Sequence, residues 1–296
     1  MANQSRQLRG RIKSVLNTRR ITRTQELVAT SKLKRAQDRV VAARPYAEAL
    51  RETIADLVTP ELMERFPLLR RPVSPAKGGP ARAAIILVTS NRGLCGAFNS
   101  NLIKEARKRA EELEGHGYTI EFHCVGKKGA SLLRYLGKKL AADRQDIGDK
   151  PTAEHAGSVV EALVTDFAAG RLASVDLVHA KFNTAISTPP TVQRILPVET
   201  PPKGAAPKVR PDYILKPGPD AILENLLPLY VRNAVYRGLV ETAAGEHGAR
   251  RTAMKSATDN AGEILNTLKT AYNKGRQAQI TQEISEIVGG AAALGG

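Results

Sequence analysis

The sequence predicts an α/β protein in which an antiparallel coiled coil of the N- and C-terminal helices carries a body built on a mainly parallel sheet. Three observations carry this reading. The stretch from Asp220 to Gly290 contains a single proline, Pro228, and keeps helical spacing almost to its end. Leu8, Ile12, Val15, Arg19, Thr22, Glu26, Ala29, Leu33, Ala36, Val40 and Ala43 repeat alternating steps of four and three, the period that keeps one helix face against a partner. Between these ends the period changes, and short β-branched runs alternate with helical segments.

In the C-terminal stretch the four-three pattern is met by Ala257, Ala261, Ile264, Leu268, Ala271, Gly275 and Ala278. Five of these seven positions are Ala or Gly, so the backbones can approach closely but little apolar area is buried. A helix of about 70 residues would be ~105 Å long at 1.5 Å per residue, far more than a globular domain needs. Seams at opposite ends of one chain fold back as an antiparallel pair. In the first helix the polar seam positions Arg19, Thr22 and Glu26 are consecutive, an arrangement that fixes register at a cost in stability.

Taken in order, the first helix should run from Ser5 to Leu57 and bend at Pro45, which lacks an amide proton. Residues 59–82 hold five prolines and Gly78-Gly79 and read as a linker. Ala83 to Thr89 is a strand buried on both faces. A helix from Asn99 to Leu113, a strand from Tyr118 to Val125 and a short helix from Lys128 to Leu136 follow. A third helix spans Thr152 to Ala169 with Thr152 as N-cap, then a strand from Ser174 to Phe182 and an edge strand from Thr191 to Glu199. The proline-rich segment 200–219 leads into the last helix. The expected divisions are therefore 1–58 (helix), 59–82 (linker), 83–199 (α/β domain), 200–219 (linker) and 220–296 (helix).

The net charge of +16 is unevenly placed. Residues 1–44 carry twelve Lys/Arg against Glu26 and Asp38, whereas residues 220–296 carry eight of each sign. A basic helix calls for an acidic partner surface, which could be nucleic acid, anionic lipid or protein. No aromatic precedes Tyr46, so stacking on single-stranded bases is unsupported, and a basic coiled coil bound to duplex phosphates remains the alternative. No run of eighteen apolar residues is present, and the N-terminus lacks an apolar signal core. Two cysteines, Cys95 and Cys124, without a CxxC motif suit reduced thiols.

No catalytic constellation emerges. Ser90 to Asn99 joins the first strand to its helix, where α/β proteins often hold phosphate, but it matches neither GxGxxG nor GxxxxGK[ST]. Gly93 and Gly96 suit a tight turn instead. His116, His123, His155, His179 and His247 have no ligand spacing, so neither a metal nor a cofactor is expected.

Several segments resemble the gamma subunit family of rotary proton-translocating ATP synthases. These are Arg11–Val15, Asn17–Thr22, Val28–Leu33, Ser90–Asn99, Ala257–Ala261 and, most specifically, Arg276–Ala291. The resemblance implies a non-catalytic central stalk whose terminal helices sit inside a collar of three alpha and three beta subunits. It also implies a Rossmann-like foot resting with the epsilon subunit on the membrane ring of c subunits, and a peripheral location at the cytoplasmic face of the bacterial cell membrane. By the family's pattern Arg276, Gln277, Thr281 and Glu283 would contact the beta subunits. Thr24-Gln25 stands where the family usually has Ala-Met, which makes Gln25 a further expected contact. No nucleic-acid partner is implied.

Overall fold

The computed structural model describes residues 2–71, 78, 81–199 and 218–294. Its elements run α1 (Ala2–Leu57), α2 (Pro60–Arg65), β1 (Arg82–Val88), α3 (Phe98–Gly115), β2 (Thr119–Val125) and α4 (Lys127–Tyr135). They continue β3 (Leu140–Arg144), α5 (Ala153–Ala168), β4 (Ser174–Ala180), β5 (Pro190–Leu196) and α6 (Pro219–Leu294). The chain divides into two compact units, one of Met1–Thr30 with Arg250–Gly296 and one of Ser31–Ala249. Helices α1 and α6 contribute to both, and α1 continues through Pro45.

The larger unit is built on five strands in the order β3-β2-β1-β4-β5. β1 pairs in parallel with β2 and β4, β2 with β3, and only β5 runs antiparallel, at the edge. Successive strand residues face opposite sides, so the run Ala83–Val88 feeds two cores at once. Ala84, Ile86 and Val88 join Val175 and Leu177 against α5 and α6, with Leu50, Ile54 and Leu57 of α1. Ala83, Ile85 and Leu87 face α3 and α4, meeting Leu102, Ile103, Ala106 and Leu133. α1 is tied to the loop after β3 by an ion pair from Lys32 to Asp149 and by Arg39, which donates to the Asp149 carbonyl at 3.0 Å.

From Gly238 to Gly248 every residue of α6 is buried. Glycine makes this possible. A methyl group on Gly238 would lie 2.7 Å from a Leu177 methyl, and one on Gly248 would lie 2.7 Å from the Ala185 carbonyl oxygen. At Gly245 it would meet Phe98 at 3.1 Å and Ala180 at 3.3 Å. Here the helix lies backbone-close to its neighbours, a fit that no larger residue allows.

Two elements depart from expectation. The segment read as linker contains α2, whose Thr59 hydroxyl accepts from the Leu62 amide at 3.4 Å and whose Pro60 supplies the preset first-turn geometry. β3 was not anticipated: Leu140–Arg144 is short, half-buried and closed by charge, so it lacks the apolar run that marks β1. Most of the second expected linker, residues 200–217, lies outside the described residues, as do 72–77 of the first.

Candidate functional site

In the smaller unit the N-terminal part of α1 packs against the C-terminal part of α6. Thr258 Oγ1 donates to Thr22 Oγ1 at 2.8 Å, and Arg9 donates to the Tyr272 hydroxyl at 2.6 Å with its guanidinium 5.6 Å from the ring centre. Moving down α1 from Thr22 to Arg9 thus moves up α6 from Thr258 to Tyr272. The helices are antiparallel and in steady register.

The buried row on α6 is Met254, Thr258, Ala261 and Leu265, continued by half-buried Leu268 and Tyr272. Of the seam expected from the sequence, Ala261 and Leu268 lie in this row. Ala257 is half-buried, Ile264 is 51% exposed, and Ala271, Gly275 and Ala278 are exposed. This corrects the expected α6 seam, and the physical reason is side-chain volume. Both rows have four-three spacing and share Ala261 and Leu268, but the one that packs places Met254, Leu265 and Tyr272 inward, burying more apolar area than Ala and Gly can. On α1, Leu8, Ile12 and Val15 are half-buried, Arg19 is exposed, and Thr22, Glu26 and Ala29 are buried. Arg23 holds Glu26 through both carboxylate oxygens, at 3.0 and 2.9 Å, so the polar seam position is satisfied.

Continuing the same register, residues 281–294 of α6 extend past the start of α1, an overhang of ~20 Å at 1.5 Å per residue. Every residue from Thr281 to Gly290 is exposed. Thr281 and Glu283 lie on this exposed stretch, Arg276 and Gln277 are exposed just before it, and Gln25 is half-buried on α1. The polar side chains are braced along the helix: Gln279 donates to Glu283 at 3.0 Å, Gln282 to Glu286 at 2.9 Å, and the Thr281 hydroxyl to the Gln277 carbonyl at 3.0 Å. Between them Ile280, Ile284, Ile287 and Val288 are 47%, 55%, 72% and 62% exposed, a continuous apolar row. On α1, Ile21, Leu27 and Val28 stand exposed among the arginines. In the sequence these three are marked only by their position off the seam row, in a helix whose charge dominates its pattern.

The Ser90–Asn99 loop is spent on its own architecture. Asn99 accepts from the Ser90 amide and donates to the Ser90 hydroxyl, at 3.0 and 2.8 Å. Asn91 donates to the Gln145 and Ile147 carbonyls and accepts from the Lys127 amide. The turn uses positive φ at Gly96 (58°) and, less usually, at Leu94 (63°). Burial pushes the Cys124 thiol up to about 12, which makes it a poor nucleophile. Among the described residues no three His, Cys, Asp or Glu side chains converge as a metal site.

The family model described as ATP synthase matches residues 4–294. The ATP synthase gamma chain of Gemmatimonas aurantiaca is 57% identical over 293 residues, covering 99% of both chains. The chain belongs to the ATP synthase gamma chain family. A gamma chain of Leptospira biflexa is 40% identical over 289 residues, 98% of each chain. The fold recurs in a chain of the mitochondrial ATP synthase of Euglena gracilis, with a TM-score of 0.70 at 20% identity over 99% of this chain and 95% of that one. It recurs again in a central-stalk chain from Tetrahymena thermophila, with a TM-score of 0.57 at 23% identity over 80% and 99%. As a gamma chain the protein is a non-catalytic subunit of its complex. The duplex-binding alternative receives no support from these matches. No described helix is long and apolar enough to cross a membrane.

Proposed function

We propose that this gamma chain is the central rotor shaft of a proton-translocating ATP synthase. It couples rotation of a membrane c-ring to conformational change at catalytic beta subunits. One observation carries the reading: beyond the reach of α1, α6 continues as a lone helix with an exposed apolar row from Ile280 to Val288. A single helix with isoleucines in water is poorly stabilised by itself and needs a surrounding sleeve to cover it.

The sleeve is a collar of three alpha and three beta subunits. Arg276 and Gln277 meet the beta subunits from the end of the paired region, Thr281 and Glu283 from the overhang, and Gln25 from α1. The basic face of α1 suits acidic beta-subunit loops. Residues 1–58 and 220–296 form the shaft, 83–199 the foot, with 59–82 and 200–219 as connections. The foot sits with the epsilon subunit on the c-ring, which holds the chain at the cytoplasmic face of the bacterial cell membrane. Coupling of this kind is a free-energy linkage between sites, with the chain supplying contacts that differ from one orientation to the next.

The test is a Glu283→Cys chain assembled with alpha and beta subunits carrying a cysteine opposite it. One copy should copurify per six collar subunits and raise ATPase turnover. Oxidation should stop turnover, and reduction should restore it. Turnover unaffected by a completed cross-link would rule the shaft out.

A further inference from the structure

A cleft of about 620 Å³ opens in the larger unit beside the edge of its sheet. Its floor is His179 of β4 with Thr191 and Gln193 of β5, and its walls come from Arg51 of α1 and Tyr230, Asn233 and Arg237 of α6. The volume is that of a small-molecule site. Its charge is predominantly positive. Four cations line it, Arg51, Lys181, Arg194 and Arg237, against two carboxylates, Glu199 and Glu241.

Two of those cations are already engaged. Arg194 donates from Nε to Asp176 at 2.9 Å, and Arg237 donates to Glu241 at 3.3 Å. The second oxygen of Glu241 accepts from the Phe182 amide at 3.1 Å, so this carboxylate is satisfied within the fold. Arg51 and Lys181 form no ion pair or side-chain hydrogen bond among the described residues. At the floor, His179 is 5% exposed, and its Nδ1 is buried with no hydrogen-bond partner among the described residues. Burial lowers its pKa, Arg237 and Lys181 reinforce that shift, and Glu241 and the Leu177 backbone oppose it. The imidazole is therefore held toward its neutral form, in which one ring nitrogen donates and the other accepts.

We propose that this cleft binds a small phosphate-bearing anion, with Arg51 and Lys181 supplying the charge. Arg237 and Arg194 hold the positive field while remaining tied to their carboxylates, and Asn233 and Tyr230 are further donors on the wall. Glu199 on the rim opposes the ligand and limits its affinity. Nothing in the rotary role requires this site, and it stands or falls separately.

Isothermal titration calorimetry on the full chain tests it with inorganic phosphate, pyrophosphate and AMP. A chain of net charge +16 attracts anions everywhere, so the control matters. Pyrophosphate should bind saturably at one site, and R51Q/K181Q should weaken it by about tenfold or more, the loss expected for two charged hydrogen bonds. R6Q/R11Q, which removes equal charge elsewhere, should change it less than about twofold if only long-range attraction is lost. AMP tighter than phosphate identifies a nucleotide ligand, and equal affinity an inorganic one; either supports the site. The imidazole resonances of His179, which lines the cleft, should move during the titration. Absence of saturable binding, equal weakening by the control pair, or binding that leaves the His179 resonance unmoved would overturn the proposal.

Discussion

Thr258 on α6 donates to Thr22 on α1 at 2.8 Å, a buried hydroxyl pair that joins the two helices across their seam. Thr22 in turn donates back to the Arg19 carbonyl at 3.1 Å, so neither hydroxyl is left without a partner. Thr258→Val keeps the shape and removes the bond. It should lower the stability of the full chain by about 0.5–1.5 kcal/mol in a denaturant titration. The double variant T22V/T258V should cost less than the two single changes added together, because a pair of apolar groups leaves nothing unsatisfied.

Glycines on α6 should divide into two kinds. Gly248→Ala places a methyl 2.7 Å from the Ala185 carbonyl oxygen and should destabilise by about 1–3 kcal/mol. Gly275→Ala meets nothing within 4 Å and should stabilise the isolated chain by about 0.5–1 kcal/mol, the helix propensity difference. Thermal melts of both variants, compared with the parent chain, check the two signs together.

Asp176 is fully buried on β4 between Arg109 of α3, 2.7 Å away, and Arg194 of β5, 2.9 Å away. Burial works against the charge on Arg109, but its bonds to Asp176 and Glu112 overcome this and raise its pKa. Asp176→Asn removes the charge that both guanidiniums share. The expected loss is about 1–3 kcal/mol, since both guanidiniums remain partly solvated and Arg109 keeps Glu112. Asp176→Asn combined with Arg194→Gln should recover part of it, read by the same denaturant titration.

Acid should act through His179. Its folded pKa lies below the ordinary value of 6.5, so the unfolded chain takes up the proton first. The stability gained from keeping the ring neutral is complete above pH 6.5 and is lost as pH falls below it. Cys124 acts at the other end: with its thiol raised from 9.0 to about 12, its contribution is intact below pH 9 and fades as pH rises toward 12. Stability measured against pH in a phosphate-free buffer should bend at both limits. His179→Gln should flatten the acid bend, and Cys124→Ala the alkaline one.

The body of the fold was legible because β1 is so plainly a two-faced buried strand, and because helical segments alternate with the strands that follow it. β3 was not, since Leu140–Arg144 sits at an edge, half-buried, with too little apolar surface to mark it. The terminal pair was legible as a pair, but the inward row on α6 was not. Alanine at 257, 261, 271 and 278 lets spacing alone fit two rows, and only the bulk of Met254, Leu265 and Tyr272 separates them. Patterns of residue type also leave no trace of a cleft such as the one around His179. Its parts come from β4, β5, α1 and α6, and only the tertiary fold brings them within reach of one another.

The absent side chains of Gly238, Gly245 and Gly248 have a mechanical meaning. Turning α6 about its own axis would drive neighbouring side chains into Leu177, Phe98 and the Ala185 carbonyl, where the glycines now leave just enough clearance. The helix is splined to the strands it crosses.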